Sequence, residues 1–358
     1  MFFTSPKARP KSSAPSAKRQ ALMLPSYFRR KILPINQSLG LSPFRPACNS
    51  RRGVTLIELL IVLAILAVLT GLTLTAVQKA RMAAARAACA NNLHQIGLAF
   101  QMYHDHQHSF PPGMEWSGKN NDASDVFFSR SWHVYLLPDL EQGPLAAELD
   151  QPKYFSPGLW DIPNHPGLTT VLPVYYCPAD PASGRTFHAL NAISGYSVSA
   201  TTSYLGVEGT NLYREDGVLF ASSQIRLSEI TDGASQTLLV GERPAYPLAM
   251  WGMWYTGVYG QGITGSGAIV LGVRERDEWC NGPIWPNGWP YLGFSGEAHF
   301  APGDSNNPYH AYHFWSWHGG GANFLFVDGS VRFLPYGADA VLPALATRAG
   351  GEAVSLDW

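Results

Sequence analysis

Residues 51–77 read RRGVTLIELLIVLAILAVLTGLTLTAV, and the architecture of the whole chain follows from them. Residues 54–77 are an apolar run with one acid, Glu58, and no Lys or Arg. About 20 such residues cross the hydrocarbon core of a bilayer as a helix, so the run predicts a single transmembrane helix. Glu58 needs an explanation, because an ionised carboxylate within a membrane costs roughly 3 kcal/mol or more.

Charge is distributed unevenly along the 358 residues. Residues 1–53 contain eleven Lys or Arg and no acid, whereas the chain from Val54 onward has 14 basic and 26 acidic residues, a net charge of −12. Lys and Arg favour the cytoplasmic side of a membrane, so we expect a cytoplasmic N-terminus and an extracytoplasmic C-terminal domain. The acidic mature part argues against nucleic-acid binding, which requires basic side chains to neutralise phosphates.

A cleaved signal peptide and a plain signal anchor are the alternatives for this apolar run. The apolar region of a signal peptide has about 7–15 residues and ends at a small-residue cleavage site. Here the run is longer, and it continues into Gln78, Lys79 and Arg81 without such a site. A plain anchor accounts for the length but leaves Glu58 without a role.

The next segment, residues 78–108, extends the helix. Residues 78–106 have no proline, and apolar side chains recur there at spacings of 4, 3, 4 and 3 on one helical face. These side chains are Cys89, Leu93, Ile96, Phe100 and Tyr103. We therefore expect one helix from about residue 54 to about residue 106, whose second half presents an apolar stripe to a globular domain.

Residues 109–335 are rich in Gly, Pro, Trp and Tyr, and turn signals break the short apolar runs. This pattern indicates a mostly β domain, so the predicted fold class is α+β, with a long N-terminal helix packed on a β-rich domain and a C-terminal tail at 336–358. The predicted strands are Gln236–Val240, Ile269–Val273, Ala322–Val327 and Ser330–Leu334. Asp328-Gly329 suits a two-residue type I′ hairpin between the last two.

The segment Gly53-Val54-Thr55-Leu56-Ile57-Glu58-Leu59-Leu60 resembles the N-terminal signal of type IV prepilins and type II secretion pseudopilins. The resemblance implies that a prepilin peptidase cleaves after Gly53 and methylates the new amine of Val54, where the family most often has Phe. It also gives Glu58 a partner, because the Glu58 carboxylate of one subunit can pair with the amine of a neighbour and set the register of self-association.

Further motifs resemble the bacterial, pilin-like DUF1559 family, whose C-terminal motif is His, nine residues, then Asp-Gly. His318 and Asp328-Gly329 match that spacing. The other matching segments are Asn91–Gly97, Tyr103–Asp105, Phe110–Gly113, Trp132–Gln142, Tyr176–Pro178 and Asp232–Thr237. The resemblance implies a pilin-like domain on a single-pass inner-membrane anchor, with the domain in the periplasm or at the cell surface.

The leader, residues 1–53, is longer than prepilin signals usually are. We expect translation to start later, with Met23 as the downstream candidate. From either start the leader is expected to be absent from the mature protein.

Candidate metal ligands are concentrated near the C-terminus: His299, Asp304, His310, His313, His318 and Asp328. A metal site requires three or four of them to converge, and the alternative is that His318 closes its loop by a hydrogen bond to the Asp328-Gly329 hairpin. Related pseudopilins hold Ca²⁺, a cation that takes oxygen ligands, which makes Asp304 and Asp328 the carboxylates to test.

Cys177 and Cys280 are candidates for a disulfide in an oxidising compartment, although the sequence leaves the pairing open.

The sequence thus predicts an assembly subunit rather than an enzyme, associated with a type II secretion or pilus-like machine. His318-Gly319-Gly320-Gly321 resembles a hydrolase oxyanion loop, but no G-x-S-x-G nucleophile motif occurs in the chain. The alternative function is a monomeric anchored domain that binds carbohydrate or another ligand through the seven tryptophans between residues 251 and 317.

Overall fold

The computed structural model describes residues 53–115, 129–155, 162–182, 184–191, 195–211, 213–246, 252–257, 269–275, 296–352 and 354. The leader up to residue 52, Cys280 and the last four residues of the tail lie outside these ranges. The chain divides into two units, Met1–Val62 and Leu63–Trp358.

Helices and strands together make an α+β fold in the described residues, which confirms the predicted class. The helices are α1 (Leu56–Gln107), α2 (Trp132–Tyr135), α3 (Gly143–Leu149), α4 (Pro166–Thr169) and α5 (Leu342–Ala346). The strands are β1 (Ser129–Arg130), β2 (Thr186–Asn191), β3 (Gly195–Ala200), β4 (Tyr204–Gly209), β5 (Leu238–Glu242), β6 (Thr256–Gly257), β7 (Val270–Gly272), β8 (Gly321–Phe326) and β9 (Val331–Pro335).

Helix α1 is one element of 52 residues with two different surfaces. Residues 53–84 are exposed, and this part of the helix is long and apolar enough to cross a membrane. Further along, the predicted stripe is confirmed, because Cys89, Leu93, Ile96 and Phe100 are fully buried and Tyr103 is partly buried. Among the described residues the first part of α1 therefore leaves its apolar side chains exposed, whereas the second part contributes to the core.

The domain is organised around a five-stranded sheet in the order β7-β4-β5-β8-β9. Its pairs are antiparallel except for β4 with β7, and two two-stranded sheets, β1-β6 and β2-β3, lie apart from it. Side chains that alternate along β8 enter two different apolar clusters. Leu325 joins the cluster that contains the stripe of α1, whereas Phe324 and Phe326 join the cluster that contains α5.

The hairpin between β8 and β9 differs from the predicted two-residue turn. The Gly329 N–H donates to the Phe326 carbonyl and the Phe326 N–H donates to the Ser330 carbonyl, so the connection has three residues. Gly329 has a φ of 84°, and Asp328 is not among the residues with positive φ, which a type I′ turn would require. The type I′ prediction was wrong because the Asp328 N–H is engaged by the Ala234 carbonyl and its carboxylate accepts from the Ser330 N–H.

Helix α1 approaches this hairpin closely at Gly97. A Cβ atom at this position would lie 2.7 Å from Leu325 Cδ1 and 3.4 Å from the Gly329 Cα. One turn later, Gln101 Nε2 donates to the Val327 carbonyl over 2.6 Å. The absence of a side chain at Gly97 therefore permits the contact between α1 and the turn.

We predict that Gly97→Val lowers the free energy of unfolding by about 1–3 kcal/mol, since the added methyl groups overpack the contact with Leu325 and Gly329. Urea unfolding of the detergent-solubilised chain measures the change. Leu98→Val is the matched control, because Leu98 is 63% exposed and its substitution should change stability by less than about 0.5 kcal/mol. Equal stability of both variants would contradict the close approach.

Candidate functional site

Two cysteines join the second part of α1 to the domain. Cys89 of α1 and Cys177 form a disulfide with a Cα–Cα distance of 5.1 Å. The predicted pairing of Cys177 with Cys280 was therefore wrong, since each sulfur forms one such bond. The reason is local geometry: one turn after Cys89, Asn92 Nδ2 donates to the Tyr176 carbonyl over 2.9 Å and holds the neighbouring Cys177 against the helix.

The turn that carries Cys177 is also fixed from its other side. The Asp180 N–H donates to the Cys177 carbonyl, and Ser203 Oγ donates to Asp180 Oδ2 over 3.1 Å. Asp180 is buried, and burial raises the pKa of its carboxyl, although the hydrogen bonds and the charge of Arg243 act in the opposite direction. Cys177 therefore lies on a braced turn rather than on a free loop.

A row of polar side chains crosses the α1-facing side of the sheet. Tyr204 of β4 pairs in register with Glu242 of β5, and the next strand, β8, supplies Asn323. The Asn323 N–H donates to Glu242 Oε2 over 2.7 Å, and Asn323 Nδ2 donates to Oε1 over 3.0 Å. Tyr204 donates its hydroxyl hydrogen to the Cys89 carbonyl, so the row reaches the disulfide.

Burial and charge together keep Tyr204 protonated. Burial raises the pKa of its phenol well above the ordinary value, and the nearby charge of Glu242 raises it further. The hydroxyl can therefore serve as a donor to α1 over the ordinary pH range, as well as accepting from Asn92 Nδ2.

His318 completes this group from the loop before β8. Its Nε2 lies 3.4 Å from Cys177 Sγ and 3.4 Å from Glu242 Oε1. The prediction that His318 closes its loop against Asp328-Gly329 was wrong, because six-residue β8 separates the two positions by about 20 Å. We call Cys89, Cys177, Glu242 and His318 the disulfide cluster; the four residues are buried, and their ligand atoms all lie within 4.8 Å of one another.

The disulfide cluster does not have the geometry of a Cys-His-acid catalytic triad. In such a triad one ring nitrogen faces the nucleophile while the carboxylate orients the other nitrogen. Here His318 Nε2 faces both Cys177 Sγ and Glu242 Oε1, and the sulfur is already bonded to Cys89. The arrangement instead brings an imidazole nitrogen, a carboxylate oxygen and a sulfur together at one buried point.

The other predicted metal ligands do not join this cluster. In the described part of the chain the disulfide cluster is the one group of at least three His, Cys, Asp or Glu residues arranged to hold an ion. Asp304 accepts from the N–H and the side chain of Asn306, within its own loop. His299 instead pairs with Asp339 over 2.9 Å. Calcium binding by Asp304 and Asp328 stays a prediction.

His310 and His313 form a pair of their own, with Nδ1 of the first 2.7 Å from Nε2 of the second. His313 is 2% exposed, and burial lowers its pKa to about 4. Its hydrogen bond with the Phe314 carbonyl opposes this shift, and the charge of Arg243 adds to it. His313 is therefore a neutral core residue at neutral pH.

Two of the three described tryptophans in the aromatic-rich half belong to the core. Trp254 and Trp315 are buried, whereas Trp317 is 41% exposed. Trp251, Trp279, Trp285 and Trp289 lie outside the described residues. The aromatic content in the described part therefore serves mainly to fill the interior.

Glu58, in the N-terminal unit, has a role that the sequence interpretation missed. Glu58 Oε2 accepts from the Thr55 N–H over 2.8 Å, and the Glu58 N–H donates to Thr55 Oγ1 over 3.3 Å. This reciprocal pair is a capping box, which satisfies free N–H groups at the start of a helix. The pattern Thr-x-x-Glu just before an apolar run was the available signal.

The apolar helix that begins with a capped glutamate and the β-rich domain are the features of a prepilin-type, membrane-anchored, pilin-like protein, and a sequence motif supports this class. The prokaryotic N-terminal methylation motif matches residues 48–74, which include Gly53, Val54 and Glu58. This motif implies processing by prepilin peptidase and a membrane context.

The chain belongs to the family described as "Protein of unknown function (DUF1559)", which matches residues 78–340. That match spans all four residues of the disulfide cluster. Neither the curated proteins nor the solved structures contain a significant match to the chain.

We predict that peptide mapping under non-reducing conditions finds Cys89 linked to Cys177. The bond closes a loop across 88 positions of sequence, so Cys89→Ala with Cys177→Ala should lower the free energy of unfolding by about 2–5 kcal/mol. Cys280→Ala is the matched control and should leave this linkage intact. A Cys177–Cys280 peptide from the folded chain would contradict the structure.

We also predict an acid-dependent loss of stability from His313. Its folded pKa of about 4 lies below the ordinary 6.5, so between these values the unfolded chain binds a proton that the native chain does not. Stability should therefore fall as the pH drops from 7 to 4, and His313 alone should contribute about 3 kcal/mol.

Urea unfolding at several pH values measures this effect. His313→Gln should reduce the slope of the free energy of unfolding against pH by the amount that corresponds to about one proton. Buried His133 should retain its own contribution, because burial lowers its pKa well below the ordinary value. His94→Gln, at an exposed helix position, is the control. An unchanged slope in His313→Gln would refute the assignment.

Proposed function

We propose that this chain is a structural subunit that self-associates through α1 and presents its domain outside the cytoplasm. The observation that carries the proposal is the contrast within α1. Residues 54–77 expose every apolar side chain, while the stripe from Cys89 to Phe100 is buried against the domain. Such a long, exposed apolar surface suits burial in a bilayer before assembly, and burial against the equivalent helices of other copies after assembly.

The N-terminal charges favour assembly after cleavage. Removal of residues 1–53 creates an amine at Val54, which in an apolar bundle needs a carboxylate partner. Glu58 is the one acid between residues 54 and 77. In the uncleaved chain its carboxylate caps its own helix through the Thr55 N–H, so it has a partner before and after processing.

The topology that accompanies this function has the leader in the cytoplasm and the domain in the periplasm or at the surface, with α1 in the inner membrane. Eleven basic residues before Val54 support this orientation, because Lys and Arg favour the cytoplasmic side. The disulfide supports it as well, because such bonds persist in oxidising compartments. A type II secretion or pilus-like machine is the partner that handles subunits of this class.

We further propose that the function is not catalytic. In the described residues the densest group of reactive side chains is the disulfide cluster, where Cys177 is bonded to Cys89 and one nitrogen of His318 serves both Cys177 and Glu242. The burial of Trp254 and Trp315 likewise gives no support to a carbohydrate-binding face.

Two variants separate the assembly role of Glu58 from its capping role. Glu58→Gln removes the charge but retains an acceptor for the Thr55 N–H, since Gln also serves in capping boxes. Thr55→Ala removes the cap, at a cost of about 1 kcal/mol, but retains the charge. We predict that crosslinking of membranes gives multimers for Thr55→Ala and strongly reduced multimers for Glu58→Gln.

Mass spectrometry of the mature N-terminus controls for processing, and it should find Val54 in both variants. Membrane fractionation should show both anchored. Multimers of Glu58→Gln at the wild-type level would refute charge pairing, and an intact leader in the wild type would refute prepilin-type processing.

A further inference from the structure

The disulfide cluster contains more polar chemistry than a cross-link requires. Cys89 comes from α1, Cys177 from the turn before Asp180, Glu242 from β5 and His318 from the loop before β8. Four separate segments thus deliver four donor atoms to one point in the interior. A structural disulfide needs neither an imidazole nor a carboxylate beside it.

Burial makes Glu242 costly unless its charge is compensated. The residue is 1% exposed, and moving a carboxylate out of water costs several kcal/mol even after relaxation, roughly. Asn323 offsets part of this cost with two hydrogen bonds that fix the orientation of the carboxylate. Oε1 also lies 3.4 Å from His318 Nε2.

The spacing of the donors matches a tetrahedral metal site. With zinc bonds of about 2.3 Å to sulfur and about 2.0 Å to nitrogen or oxygen, adjacent ligands lie roughly 3.5 Å apart for S and N, and roughly 3.3 Å for N and O. The corresponding distances here are 3.4 Å from Cys177 Sγ to His318 Nε2 and 3.4 Å from His318 Nε2 to Glu242 Oε1. The other pairs of ligand atoms lie within 4.8 Å of one another, and the two bonded sulfurs must separate for a metal to bind both.

We propose that the disulfide cluster is a redox-gated binding site for a thiophilic divalent cation such as Zn²⁺. A dithiol reductant supplies two electrons and two protons: its own S–S bond forms, the Cys89–Cys177 bond breaks, and two thiols result. Zn²⁺ then replaces the two thiol protons, which pass to solvent, and binds both thiolates, neutral His318 and the Glu242 carboxylate.

The disulfide and the metal site exclude each other, because both use the same two sulfurs. Either one ties α1 to the strands beneath it. Since the proposal rests on side chains of the domain alone, it is independent of the proposed assembly role.

The test uses the full chain in detergent with Cys48→Ser and Cys280→Ser, so that Cys89 and Cys177 are its remaining cysteines. The chain is reduced with a phosphine, freed of reductant without oxygen, and titrated with Zn²⁺ or Co²⁺. We expect one Zn²⁺ per reduced chain, none per oxidised chain, and thiolate-to-cobalt charge-transfer absorption with the bands of tetrahedral Co²⁺.

His318→Ala should weaken the affinity of the reduced chain at least about tenfold. His310→Ala is the matched control, because His310 lies in the same loop region but outside the cluster, and it should leave the affinity unchanged. Equal affinities in the two variants would overturn the proposal.

Near-UV circular dichroism accounts for any loss of fold on reduction. If the reduced chain unfolds, Zn²⁺ should restore the native spectrum; failure to restore it overturns the proposal. If the reduced chain stays folded but binds no stoichiometric Zn²⁺, or binds Co²⁺ without thiolate charge transfer, the proposal is likewise wrong.

Discussion

The attachment of α1 at Cys89 is the constraint on which the domain depends. The bond to Cys177 and the hydrogen bond from Asn92 to the Tyr176 carbonyl lie one helical turn apart. Together they fix both the position of the helix and its rotation about its own axis. That rotation directs Leu93, Ile96 and Phe100 into the core, and it presents Gly97 to the β8–β9 hairpin. A small rotation would place a side chain where the hairpin now requires none.

The side of the sheet that faces this helix carries polar as well as apolar side chains. Tyr204, Glu242 and Asn323 lie on three adjacent strands and face the same side as apolar Leu325. The two hydrogen bonds from Asn323 make the burial of the Glu242 carboxylate tolerable, and the phenol of Tyr204 reaches the helix backbone at Cys89. Such networks favour one arrangement of the strands over others, because a shifted register would leave buried polar groups unpaired.

The sequence predicts local features of this chain better than its long-range pairings. The periodicity of α1 and the apolar runs of β5, β7, β8 and β9 were sufficient to locate those elements, because each signal lies within the element itself. Cys89 was placed correctly in the apolar stripe of α1. The periodic pattern is the same, however, for a cysteine that only packs in the core and for one that forms a disulfide. Its partner, Cys177, is 88 positions away and is selected by Asn92 and Asp180, which no spacing rule connects.

The same distinction accounts for the errors at the hairpin and at His318. Asp328-Gly329 has the composition of a type I′ turn, but the Ala234 carbonyl, from a distant segment, engages the Asp328 N–H and the turn takes another form. The alternative role for His318, a hydrogen bond to that hairpin, fails because β8 places His318 and the hairpin at opposite ends of the strand. The Thr55–Glu58 capping box, in contrast, was readable from four adjacent residues.

The position of the cross-link on α1 has a mechanical consequence. Part of a force applied along the helix can enter the domain at Cys89, through a covalent bond to a turn that Asp180 and Ser203 brace against the start of β4. This covalent path therefore leads to β4, which is paired on both sides, and not to an edge strand that can separate one hydrogen bond at a time. The disulfide therefore makes the join between α1 and the sheet resistant to tension.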